Sequence, residues 1–103
     1  MNSLGVSDET SAAVTSFNLQ VFPCPSSSVT ISYDLPAYDR VRIDIYDLSG
    51  RRLDTITDSF QHSGSGSIIW NRSSDTGSRV ENGVYFCRLE SGGITETKQI
   101  ILI

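Results

Sequence analysis

Asp39-Arg40-Val41-Arg42-Ile43-Asp44-Ile45-Tyr46 alternates polar and apolar residues from Arg40 onward. In an extended chain Val41, Ile43 and Ile45 point one way, and Arg42, Asp44 and Tyr46 the other. A helix would scatter the three branched residues round its circumference, so the stretch reads as a strand with one face toward a core and one toward water. One segment earlier, Val29, Ile31, Tyr33 and Leu35 repeat the alternation.

Working outward, breakers arrive at strand-length intervals. Pro23, Pro25 and the serines 26–28 close a first segment, Pro36 closes the second, and Ser49-Gly50 turns the chain after Leu48. Gly64, Gly66, Gly77, Gly83 and Gly92-Gly93 mark later bends. This punctuation predicts strands near 17–22, 28–35, 40–47, 52–58, 66–71, 83–90 and 94–103. No segment holds a helical period. The reading is all-β: a seven-stranded immunoglobulin/fibronectin III-like β-sandwich over residues 17–103. Residues 1–16 are small and polar apart from Leu4, Val6 and Val14, and read as an N-terminal arm or linker.

At 103 residues the chain suits one domain. No run approaches the roughly 20 apolar residues of a membrane helix, so membrane insertion is not expected. The net charge is −4, and seven of the eight basic residues are arginines dispersed along the chain. With no basic cluster interleaved with aromatics, nucleic acid is not an expected partner. Abundant Ser and Thr beside the single Lys98 favour a place outside the cell. Met1 through Gly5 lack the charged and apolar regions of a secretion signal.

The search for chemistry yields little. His62, the only histidine, sits between Gln61 and Ser63 before a Gly/Ser loop, with no nucleophile motif to serve. The carboxylates are dispersed, and Asp47 and Asp75 are the best of a poor set of metal ligands because no complete calcium loop surrounds either. No glycine-rich loop joins a strand to a helix in the manner of a phosphate site. Catalytic residues, metal and cofactors are therefore none, and the chain is not expected to be an enzyme.

Cys24 and Cys87 allow one bridge, which the sequence leaves open against two free thiols. Tyr85 precedes Cys87 by two, the spacing of a tyrosine corner, in which the hydroxyl bonds back to main chain. That phase puts Tyr85, Cys87 and Leu89 on one face. Trp70 follows Ile68-Ile69 and reads as core.

Taken in order, Val29 to Pro36, Val41 to Tyr46 followed by Asp47-Leu48-Ser49-Gly50, Trp70-Asn71, Asp75-Thr76-Gly77 and Asn82-Gly83-Val84-Tyr85-Phe86 form a set. From Phe17 onward this set resembles the C-terminal sorting domain of type IX secretion cargo and the related Ig-like domain of flagellar hook-capping proteins. Three positions depart from the pattern. Phe22-Pro23-Cys24-Pro25 stands for Tyr-Pro-Asn-Pro, Trp70-Asn71-Arg72 for Trp-Asp-Gly, and the last basic residue is Lys98. Within the motif, Gly50, Trp70, Gly83 and Tyr85 have structural roles.

The resemblance implies a sorting and anchoring module of a secreted bacterial protein, extracellular or at the cell surface, recognised by secretion machinery at the outer membrane. Its interaction strand would be Lys98, Gln99, Ile100, Ile101, Leu102 and Ile103, apolar on both faces where a half-buried strand should alternate. Two other readings stand beside it. One is a structural subunit of an extracellular filament or surface layer, self-assembling with neighbouring subunits by strand exchange through the arm or the last strand. The other is an accessory module using Tyr38 and Tyr46 to stack on a sugar.

Overall fold

The computed structural model describes residues 17–24 and 28–103. The predicted arm, 1–16, lies outside the described residues, as does the side chain of Cys24.

Among the described residues seven strands follow in order: β1 Gln20–Cys24, β2 Ser28–Leu35, β3 Asp39–Asp47, β4 Arg52–Gln61, β5 Gly64–Trp70, β6 Gly83–Ser91 and β7 Ile94–Leu102. They form two antiparallel sheets, one in the order β1-β2-β5 and one in the order β4-β3-β6-β7. The fold is the all-β, immunoglobulin-like sandwich expected from the alternation, with no helix among the described residues.

Alternating residues from both sheets meet in the middle. Val29, Ile31, Tyr33 and Leu35 of β2 face Val41, Ile43 and Ile45 of β3 and Cys87 and Leu89 of β6, all buried, and Trp70 closes the cluster. Burying one such aliphatic side chain contributes about 2 kcal/mol, so this two-faced core is the main stabilising term. Pro23 is accommodated because β1 is an edge strand among the described residues, where a missing N–H need not break a ladder.

Two expectations are corrected in detail. The first strand starts at Gln20 rather than at residue 17, because Asn18 takes a positive φ of 50° and interrupts extension. Phe17 and Leu19 are buried all the same, outside any ladder, and the Phe17 carbonyl accepts from the Asp34 N–H at 2.7 Å. The second correction is Asp44, placed in solvent by the alternation but only 5% exposed. It stays on the outer face beneath its neighbours. Arg42 Nε lies 3.0 Å from one carboxylate oxygen, and the Thr55 hydroxyl donates to the other at 2.6 Å.

β4 departs from simple alternation. Its ladder with β3 slips between Ile43 and Asp44 and again between Ile45 and Tyr46. Each slip inserts one extra residue, so Leu53 and Ile56, three apart in sequence, both pack on the core. At Gly66 a Cβ would meet the Tyr33 ring at 2.9 Å, and that ring is tethered by its hydroxyl to Gln61. Only glycine lets the aromatic lie across β5.

Candidate functional site

Among the described residues the last strand is an edge: β7 pairs with β6 alone. Its two faces are used differently. Ile100 and Leu102 point inward and are buried, whereas Ile101 is 52% and Ile103 88% exposed. The doubly apolar run is thus half core and half surface. Lys98 and Gln99 are exposed on opposite faces.

Earlier in β7 the inward side carries charge, with Glu96 opposite Leu89 and Lys98 opposite Cys87. Glu96 Oε1 accepts the Phe17 N–H at 2.6 Å, fastening the start of the described chain to this strand. β1 packs beside β7 where the two sheets approach each other.

The outer face next to Ile101 is apolar as well. Register places Tyr46 beside Phe86 and Phe86 beside Gln99, with Val84 beside Ile101. A shallow groove of about 280 Å³ runs between Tyr46, Leu48, Phe86, Arg88 and Thr97. Leu48, at its rim, is 72% exposed. Sequence reading missed Val84, Phe86 and Leu48 as surface residues. Their signal was phase: Phe86 and Val84 alternate with Tyr85 and Cys87, so they face out if those face in.

The motif residues shape the ends of these strands. Asp47 organises the β3–β4 turn, its Oδ1 accepting from the Ser49 N–H at 3.0 Å, the Ser49 hydroxyl at 2.6 Å and the Arg51 N–H at 3.0 Å. The Ser49 hydroxyl, then the Arg51 N–H, hold its carboxyl below the usual range. Gly50 takes φ +88°, a conformation that glycine adopts without steric cost. Gly83 opens β6 opposite Leu102. The Tyr85 hydroxyl reaches the Glu81 carbonyl, and Trp70 Nε1–H donates to the Ser73 carbonyl at 2.9 Å.

The remaining sequence candidates do not converge. Asp47 serves its turn, while Asp75 is 3.9 Å from Arg52 on the far side of that loop. No three His, Cys, Asp or Glu side chains come together among the described residues. Cys87 is a free, buried thiol, and the side chain of Cys24 lies outside the described residues. Cys87 sits mid-strand in the four-stranded sheet, whereas Cys24 ends an edge strand of the other, opposite Ser28. Burial, aided by the nearby charge of Asp44, pushes the Cys87 thiol up to about 12.

Sandwich, corner tyrosine and half-exposed last strand define an immunoglobulin-like β module. The family described as "Secretion system C-terminal sorting domain" matches residues 20–103, and the chain belongs to it. Membership implies a bacterial protein that is secreted or held at the cell surface and that interacts with a secretion machinery.

Among solved structures, FlgD from P. aeruginosa superposes with a TM-score of 0.63 at 20% identity, covering 82% of this chain and 73% of that one. Dimeric latent PorU from Porphyromonas gingivalis superposes with a TM-score of 0.61 at 24% identity, covering 82% of this chain but 9% of PorU. At these identities the likeness is one of fold. Comparison with curated protein sequences found no match. No helix among the described residues is long and apolar enough to cross a membrane.

Proposed function

We propose that the chain is a sorting and anchoring module read by an outer-membrane secretion machinery, and that the segment read is Gln99–Ile103. The observation that carries this is the exposure of Ile101 and Ile103 on an edge strand whose alternate residues, Ile100 and Leu102, are buried. An edge strand offers unpaired main-chain groups, and exposed side chains at every second position give them an address. Inward-facing charge discourages pairing along an edge. Glu96 and Lys98 put that charge in the first half of β7 and leave the second half receptive. The groove beside Tyr46 and Phe86 adds apolar contact next to the same strand end.

The test is a fusion of the chain to a reporter in a bacterium with a working type IX system. The unchanged fusion reaches the cell surface, and the double variant Ile101→Asp, Ile103→Asp accumulates in the periplasm. Periplasmic retention of the unchanged fusion would sink the sorting reading. Export of the double variant would sink the choice of segment. The same edge is the natural seam for self-association, which light scattering on the purified chain decides.

A further inference from the structure

A second surface lies at the opposite end of the four-stranded sheet. Tyr38, from the β2–β3 turn, stacks on Phe60 of β4 with ring centroids 5.7 Å apart and planes inclined by 18°. His62, just beyond β4, approaches the same tyrosine at 5.2 Å. Tyr38 is 60% and Phe60 61% exposed, although the sandwich has a core for aromatic rings. Three residues from two parts of the chain, the β2–β3 turn and the end of β4, thus form an aromatic surface that the described residues leave exposed.

Register ties this surface to a cavity. Phe60 lies opposite Arg40, and in the next row Arg42 lies between Asp58 and Glu90. Asp39, Arg40, Arg42 and Glu90, with the 91–93 turn, line a polar recess of about 410 Å³. Asp39 follows Tyr38 directly and Arg40 pairs across the ladder with Phe60, so the recess lies beside the rings.

The charges in the recess largely neutralise one another. Arg40 forms a two-pronged pair with Asp58 at 2.7 and 3.0 Å, and Arg42 is 3.0 Å from Asp44. A phosphate or a free cation would have to break these pairs. A neutral polyol needs only donors and acceptors side by side, which guanidinium and carboxylate supply. Pyranose rings join such a hydroxyl rim to an apolar C–H face that suits exposed aromatics.

We propose that this end of the sheet binds a pyranose saccharide, stacked on Tyr38 and Phe60 with its hydroxyls in the recess beside Asp39, Arg42 and Glu90. Of the two tyrosines that the sequence offered for this chemistry, Tyr38 has the setting. Tyr46 lies in the apolar groove at the other end of the face.

The test is an NMR titration of the ¹⁵N-labelled chain with chitopentaose, laminaripentaose, xylopentaose and mannopentaose, and separately with a proline-rich peptide. At least one oligosaccharide produces saturable shifts confined to amides of residues 38–42, 60–62 and 90–93. Tyr38→Ala and Phe60→Ala each weaken it roughly tenfold with the melting temperature kept, and Tyr46→Ala leaves it unchanged. Absence of saturable shifts with every saccharide, insensitivity to both ring deletions, or a response to the peptide alone overturns the proposal. Ile101→Asp lies outside this site and leaves the titration intact, so the sorting reading stands or falls separately.

Discussion

The Tyr85 hydroxyl donates a hydrogen bond of 2.6 Å to the main-chain carbonyl of Glu81, four residues back, while its ring meets Trp70 edge-on at 5.8 Å. One side chain therefore clamps the loop before β6 and joins the two sheets. Tyr85→Phe keeps the ring contact and removes the clamp. Because the Glu81 carbonyl can turn to water, the loss is that of one net hydrogen bond, about 1 kcal/mol, read from urea unfolding. A cost above about 3 kcal/mol would mean that the loop packs on the hydroxyl in some other way.

Arg72 is a sharper case. It holds a φ of +64°, where an L side chain is strained, yet it is buried and donates to Asn82 Oδ1 at 2.8 Å. Where the family motif carries glycine, this chain carries arginine. Arg72→Ala loses the contact and keeps the strain, whereas Arg72→Gly loses the contact and relieves it. The glycine variant is thus expected to be more stable than the alanine variant by about 1 kcal/mol in parallel denaturant melts. Equal stabilities would show that the backbone relaxes out of this conformation.

Much of this was legible beforehand, for reasons visible in particular residues. Val41, Ile43 and Ile45 could lie on one face only in a strand, and their burial follows. Leu53 and Ile56 could not be placed that way, because a bulge is set by the ladder with β3 and leaves no local signature in β4. Asp44 was misplaced because alternation names a face without saying what covers it, and here Arg42 and Thr55 do. The last strand was flagged by its apolar run, but which isoleucines face out depends on the phase of pairing with β6. The Tyr38–Phe60–His62 cluster was invisible, since only tertiary folding brings Tyr38 onto Phe60 and His62.

Cys87 makes stability depend on alkaline pH. Its thiol is raised from an ordinary 9.0 to about 12, chiefly by burial. The folded state therefore keeps a proton that the unfolded chain releases. The contribution is complete below pH 9 and falls as pH rises toward the folded value. At about 1.4 kcal/mol per pH unit, roughly 2 kcal/mol is gone by about pH 10.5. Unfolding free energies measured between neutral pH and that point should decline more steeply for the native sequence than for Cys87→Ala. Identical slopes would mean that the thiol is less shielded than its position implies. The same burial predicts slow reaction with a thiol reagent at neutral pH and fast reaction in denaturant.

Neighbouring isoleucines on β7 separate folding from recognition. Ile100 is fully buried against the core and Ile101 is half exposed beside it. Ile100→Ala leaves a cavity between the sheets and should cost about 3 kcal/mol. Ile101→Asp removes nothing the core depends on, and should stay within about 0.5 kcal/mol of the parent. Calorimetry on both variants checks the first half of this contrast. Secretion of reporter fusions checks the second, where Ile101→Asp should block export without lowering stability. Ile100→Ala should be exported wherever the variant remains folded. The opposite pattern, export following stability and ignoring the outward face, would mean that the machinery requires a folded sandwich but does not read the last strand.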